Sequence, residues 1–268
     1  ISSLVSTSST SILKSTLHDN SIIQLTLNRP SVRNAFNTQL AKDLIRSCAW
    51  IKDQHSTFRV LILNGEGDTF CSGADLKERN QLNTEQWHEQ HQIFEQMFES
   101  LLQLEIPTIA AIEGFAVGGG FELALNCDLI IASDKSHFQL PEVSRGIMPG
   151  GGGTQLLTRL CGPAKAKEIT ITGRRLSARE AFEFGIVQLL TSPGEVLTQS
   201  LELARSIAAN APLSVKQIKR AINLGQGHGI DRAREIELEC YRTLVDTQDR
   251  YEGVRAYNEK RMPNWKGQ

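Results

Sequence analysis

Between residues 111 and 154 two glutamates stand among glycines and apolar side chains. The first lies in Ala111-Ile-Glu-Gly-Phe-Ala-Val-Gly118-Gly119-Gly120-Phe121-Glu122-Leu-Ala-Leu-Asn-Cys-Asp128, the second in Pro141-Glu142-Val-Ser-Arg-Gly146-Ile-Met-Pro149-Gly150-Gly-Gly-Gly-Thr154. Glycine at each turn lets backbone amides approach a neighbour or a ligand closely. A helix opening after Gly118 leaves its first amides unpaired and carries partial positive charge, a setting that holds a developing oxyanion. Glu122 just inside that helix, with Glu142 as a second carboxylate, supplies the acid and the base for moving protons beside a polarised carbonyl.

With 268 residues the chain can form one large core and an appendage. Its net charge of −1 gives no electrostatic footprint for nucleic acid. No apolar run approaches the roughly 18 residues a membrane helix needs, because Glu113 and Asp128 interrupt the most hydrophobic region. Cys48, Cys71, Cys127, Cys161 and Cys240 stand singly, which suggests neither a zinc site nor a disulfide framework and suits a reducing compartment. The expected location is the cytoplasm, with the mitochondrial matrix left open because the sequence starts with Ile rather than Met. Residues 1–12 are rich in Ser and Thr and are expected to form a disordered tail.

Ser21–Asn28 alternates as a half-buried strand does, and Arg59–Asn64, Thr108–Ile112 and Leu129–Ala132 are continuous apolar runs of the covered-strand kind. Thr38–Lys52 carries Leu40, Ala41, Leu44, Ile45 and Cys48 on one helical face. Asn83 to Gln86 starts a helix running toward Leu104, and Ser177 to Glu180 has the form of a capping box. After Pro193 only helices are expected, over 197–209, 213–224 and 231–244. The class is α/β, with a core over 13–195 and a helical region over 196–268.

Phe70-Cys-Ser-Gly73-Ala74-Asp75 follows the strand at 60–63, where ligand loops gather in α/β proteins. Together with Gly118 to Gly120 it offers two amides from separate loops, as a two-donor oxyanion hole requires. The glycines at 150–153 match neither dinucleotide nor P-loop spacing, and His88-Glu-Gln-His91 misses the zinc-protease spacing by one residue. No metal is assigned.

Asn34-Ala-Phe-Asn37, Phe70-Cys-Ser-Gly-Ala-Asp-Leu-Lys77, Gly118-Gly-Gly-Phe-Glu-Leu-Ala-Leu125 and Pro141-Glu-Val-Ser-Arg-Gly-Ile-Met-Pro-Gly150 resemble, in order and spacing, the enoyl-CoA hydratase/isomerase (crotonase) family. Leu176-Ser-Ala-Arg-Glu-Ala181 and the closing Glu259 to Lys266 extend the similarity. The resemblance implies a spiral of ββα units followed by helices that associate subunits into a trimer or hexamer. It implies an acyl-CoA thioester substrate, so coenzyme A comes as part of the substrate and no cofactor is permanently bound. It assigns the oxyanion hole to the amides of Ala74 and Gly119, the hydratase carboxylates to Glu122 and Glu142, and a supporting turn to Gly150. It also assigns CoA contacts to Arg29, Arg33, Ala35, Ser72 and Lys77, with Tyr257 and Lys266 reaching a neighbour's ligand.

The implied reaction is addition of water across the C2–C3 double bond of a 2-enoyl-CoA, part of fatty acid β-oxidation. Two relatives of that reaction stay open: Δ3–Δ2 enoyl-CoA isomerisation, and hydration of a carboxylated acyl-CoA such as methylglutaconyl-CoA, for which Arg79, His88, His91 or Arg145 would supply the cation. A branch of the family that binds AU-rich RNA uses a lysine-rich helix, and Ile93–Glu105 here has three glutamates and no lysine.

Overall fold

The computed structural model describes residues 11–54 and 57–268. The expected tail therefore lies outside the described residues except at its end, where Ser11 O accepts from Asn28 Nδ2 and Ile12 O accepts the Asn28 amide at 2.9 Å.

Strands β1 (Leu13–His18) and β2 (Ile22–Leu27) form an antiparallel hairpin. Asp19 and Asn20 turn it with φ of 50° and 58°, the mirror-turn geometry whose twist matches that of paired strands. Helices and strands then alternate: α1 (Thr38–Asp53), β3 (Val60–Gly65), α2 (Leu76–Arg79), α3 (Thr84–Leu102), β4 (Thr108–Ile112), β5 (Phe115–Val117), α4 (Gly119–Leu125), β6 (Leu129–Ser133) and β7 (His137–Gln139). After a short 3-10 turn at Glu142–Arg145 come α5 (Gly153–Thr172), β8 (Arg175–Ser177), α6 (Ala178–Glu183) and β9 (Leu189–Thr191). The remaining elements are helical, namely α7 (Val196–Ala208), α8 (Pro212–Gly225), α9 (Ile230–Arg242) and α10 (Gln248–Glu259).

Two sheets result. One has the order β1-β2-β3-β4-β6-β9, parallel throughout except at β1; the other is β5-β7-β8. Side chains alternate across the larger sheet because successive residues of a strand face opposite ways. Ile23, Leu25, Leu61, Leu63, Ala110, Ile112 and Ile130 enter the main core with α1, α3 and α4. Their neighbours Ile22, Val60, Ile62, Ile109 and Ile131 meet Val196 and Ala204 of α7 on the other face. Both faces are covered, which is why β3, β4 and β6 read as unbroken apolar runs; β2, expected to be half-buried, is buried along its whole length, with Gln24 and Thr26 satisfied by each other and by Asn64.

The helix starts follow their sequence signals. Asn37 caps α1 by accepting the Leu40 amide, and Asn83 with Gln86 and Ser177 with Glu180 form reciprocal capping boxes. Parallel strands put the loops after β2, β3 and β4 at one edge, and these loops go on pairing there: Phe36 with Ala74, and Cys71 with Ala116. That edge is where the sequence motifs converge. Among the described residues no helix is long and apolar enough to cross a membrane.

Candidate active site

Helix α4 starts at the crossing of two loops. Gly118 takes φ 56° and ψ −131° to enter it, and its amide donates to Gln139 O at 2.8 Å. The crossing is too tight for side chains: a Cβ on Gly120 would lie 2.2 Å from Cys71 O, and one on Gly73 would lie 2.9 Å from Val117 O and 3.2 Å from the Gly119 nitrogen. Ala74 and Gly119 are thus brought to adjoining backbones. The Gly119 amide is the first of a helix and has no intrahelical acceptor. Among the described residues the Ala74 amide has no acceptor either, although the neighbouring amides do: that of Gly73 donates to Cys71 Sγ at 3.4 Å and that of Asp75 to Phe36 O at 2.9 Å. Two amide donors are therefore left over at one spot.

Glu122 leaves the first turn of α4 toward the glycine run. Its Oε1 accepts the amides of Gly151 at 2.7 Å and Gly153 at 2.9 Å. One turn later Asn126 Nδ2 donates to Gly151 O and Glu122 O, so α4 and the 151–153 loop are fastened by two side chains. Burial pushes the Glu122 carboxyl above the ordinary carboxylate range, against the opposing pull of the Gly153, Gly151 and Gly150 amides.

Glu142 approaches from the 3-10 turn. A Cβ on Gly118 would lie 3.0 Å from Glu142 Oε1, which sets this carboxyl over the start of α4. Its Oε2 is buried and has no hydrogen-bond partner among the described residues. Burial first, and the nearby Glu122 charge after it, raise its pKa to about 7, while its own amide and Arg145 act the other way. Two carboxyls in one apolar setting thus differ in kind: one is wired to loop amides, the other leaves an oxygen unpartnered and has its pKa raised to about 7.

An aromatic wall closes the other side. The Phe36 ring fills the space where a Gly119 Cβ would stand, and the Phe98 ring does so at Gly151. Phe36 meets Phe94 and Phe98 edge to face with centroids 4.8 and 6.0 Å apart. His91 is half-buried, stacks on Trp87 at 4.9 Å and brings Cε1 within 3.5 Å of a Cβ on Gly150. His88 is exposed.

The other anticipated positions divide into two groups. Arg29, Arg33, Ala35 and Ser72 lie on the two loops that meet at Ala74, and Lys77 lies in the short α2 that follows. The Ser72 amide donates to Arg33 O at 3.0 Å, and Arg29 pairs with Asp75 at 3.0 Å while donating to Ala35 O. Arg29 therefore holds Ala35 and the Asp75 cap of α2 in position, whereas Arg33 and Lys77 are exposed. Tyr257, on α10, is 84% exposed, and Lys266 is exposed beyond it. Among the described residues no hydrogen bond or ion pair joins either to these loops within the chain, and the Lys266 amide donates to Asp249. Asn126 and the amides of Gly151 and Gly153 were not singled out from the sequence; the signal available was an Asn one turn after Glu122.

The sequence profile of the enoyl-CoA hydratase/isomerase family matches residues 18–268. The chain belongs to that family. It is 41% identical to the "Probable enoyl-CoA hydratase 2, mitochondrial" of Arabidopsis thaliana over 93% of this chain and 83% of that protein. It is 37% identical to the short-chain-enoyl-CoA hydratase of Clostridium acetobutylicum over 88% of this chain and 91% of that one. A crystal structure of an enoyl-CoA hydratase from Bacillus anthracis superposes with TM-score 0.94 and 37% identity, covering 96% of this chain and 100% of that chain. The strand and helix succession described above is accordingly the family fold, with its C-terminal helical region.

Proposed function

We propose that this family member is an enoyl-CoA hydratase that adds water across the C2–C3 double bond of a 2-enoyl-CoA thioester. The observation that carries the reading is the pair of unlike carboxyls, Glu122 and Glu142, beside the spare amides of Ala74 and Gly119. The thioester carbonyl oxygen accepts from those two amides, so negative charge that builds on it during attack is stabilised more than the ground state is. Glu122, held by Gly151 and Gly153, orients a water and takes its proton as the oxygen bonds to C3. Glu142 gives its proton to C2. The product carries OH at C3 and H at C2, and the proton gained by Glu122 replaces the one lost from Glu142 when the site resets.

The CoA portion runs over the loops bearing Arg33, Ala35, Ser72 and Lys77, with Arg29 shaping them. Exposed Ile218, Ile222, Ile230, Val254 and Tyr257 on α8 to α10 support association into a trimer or hexamer, in which Tyr257 and Lys266 reach a neighbour's ligand. Incubation with crotonyl-CoA in 18O-labelled water tests the reaction. The reading requires labelled 3-hydroxybutyryl-CoA; a positional isomer of the double bond formed from a 3-enoyl-CoA, with no label incorporated from either thioester, would instead mean isomerase chemistry.

A further inference from the structure

Asn126 closes α4 one turn after Glu122, so the two residues share a face of that helix. The positions around it, Phe121, Leu123, Ala124 and Leu125, are buried and apolar, and Asn126 is itself only 5% exposed. Its Nδ2 donates to Glu122 O at 2.8 Å and to Gly151 O at 2.7 Å, which uses both hydrogens of the carboxamide. Gly151 in turn donates its amide to Glu122 Oε1 at 2.7 Å. These bonds form a closed circuit that begins and ends on Glu122 and crosses to the glycine run at 150–153.

A helix end is served by the local bond to Glu122 O alone, and a buried, bonded carboxamide gains little stability over an apolar side chain of the same shape. The bond to Gly151 O, 25 positions away, answers neither need. It falls where the backbone is hardest to order. Glycine loses more conformational freedom on folding than any other residue, and here four stand in succession. Two of them are required by close approach: a Cβ would lie 2.5 Å from the Phe98 ring at Gly151 and 2.9 Å from Glu122 Oε1 at Gly153. Glu122 does not order this run unaided through a turnover. In the proposed reaction its carboxylate takes a proton from water, and a neutral carboxyl is a weaker acceptor for the Gly151 and Gly153 amides than a charged one. The Asn126 carboxamide does not titrate, so its hold on Gly151 O is the same before and after that transfer.

We infer that Asn126 is a positioning residue for the base: by tying Gly151 O to α4 it keeps the Gly151 and Gly153 amides aimed at Glu122 Oε1 through both protonation states of that carboxyl. It acts through Glu122 and takes no part in the proton transfer itself. The inference rests on the proposed role of Glu122 as the base.

Two variants test it. Asn126→Leu keeps the shape of the side chain and removes both donors, whereas Asn126→Ser keeps a hydroxyl that reaches Glu122 O but is too short for Gly151 O. With crotonyl-CoA each should lower kcat by about 10–100-fold, the scale of a misaimed group, while affinity for the saturated butyryl-CoA stays within about twofold. Added to Glu122→Gln, Asn126→Leu should cost less than about threefold more, because the group it positions is already gone. Titration of the 13C-labelled Glu122 carboxyl gives a readout without turnover: its midpoint should rise in both variants as the amides lose their aim. A merely structural role would lower Tm and leave the midpoint in place. An unchanged midpoint, or an equal loss of rate in the wild-type and Glu122→Gln backgrounds, would overturn the inference. If neither variant folds, hydrogen exchange of the wild-type Gly151 amide decides, since a tethered run requires protection at least about tenfold beyond that of an open loop and its absence would overturn the tether. A shifted midpoint in variants of a protein that hydrates no crotonyl-CoA leaves Asn126 standing and sinks the hydratase reading. Hydration by Asn126→Leu at the wild-type rate does the reverse.

Discussion

Glu122 and Glu142 sit in two differently built regions, and the proposed chemistry rests on their difference. The α4 end is over-determined: Glu122 is 3% exposed and fixed by two amides, and Asn126 fastens the same loop. The 142–148 segment is more open, with Val143, Ile147 and Met148 exposed by 45%, 50% and 66% and an unpartnered Glu142 Oε2. Amides stabilise a charged carboxylate and burial penalises it. Burial raises both carboxyls, but only Glu122 is held in a fixed direction by loop amides, which in the proposed reaction suits it to orient water while Glu142 carries the proton.

The sharpest way to break this contrast is to neutralise each carboxyl with its isostere. Glu122→Gln and Glu142→Gln should each lower kcat for crotonyl-CoA by about 10²–10⁴-fold, the usual contribution of a positioned acid or base. Steady-state rates that stay within a few-fold of wild type in either variant would remove that residue from the mechanism.

A smaller perturbation tests the wiring of Glu122 alone. A Cβ at Gly153 would lie 2.9 Å from Glu122 Oε1, so Gly153→Ala should cost roughly 10–100-fold in kcat through misdirection of the base. At Gly146, where φ is 72° and nothing lies within 4 Å of a Cβ, alanine should cost about 1 kcal/mol of stability through its left-handed backbone and little activity. Equal kinetic losses in the two variants would mean that the glycines matter only for folding.

The pH dependence follows from Glu142. With its pKa at about 7, kcat/KM for hydration should fall roughly tenfold per unit as pH rises beyond that value and the acid is lost. Glu142→Gln should flatten this alkaline limb.

The least effect is on stability. The folded-state carboxyl, at about 7, lies above the unfolded value of about 4.3, so the native state holds this proton more tightly than the unfolded chain does. Stability from this group is fully present below the unfolded pKa and is lost as pH rises toward the folded one. Glu142→Gln should therefore raise Tm by a few degrees at about pH 8 and by less at about pH 5. Parallel shifts at both pH values would show that burial of this carboxyl carries no such penalty.

Strands β3, β4 and β6 were legible as apolar runs because both faces of the sheet are covered, β2 by its alternation, α1 by its apolar face, and α3 and α6 by their caps. The three-residue strands β5, β7 and β8 have too little length for a period to be read. Helix α5 is broken by Gly162 at φ 76° followed by Pro163, which hides its periodicity. At the site, the residue types were readable from glycine and glutamate in apolar surroundings. That Glu142 meets Gly118, and that the glycine run turns its amides on Glu122, depends on contacts across 24 to 31 positions that no local pattern encodes. Arg29, assigned a CoA contact by the resemblance, is engaged within the chain by Asp75, a pairing that spans 46 positions and that no local pattern encodes.

The most direct test is the loss of conjugated-thioester absorbance when purified protein meets crotonyl-CoA, recorded across pH for wild type and Glu142→Gln. Rapid loss in wild type that declines above a pKa of about 7, with a slow and pH-flat trace in the variant, is the predicted result. Wild-type turnover matched by Glu142→Gln at every pH would contradict the division of roles between the two carboxyls.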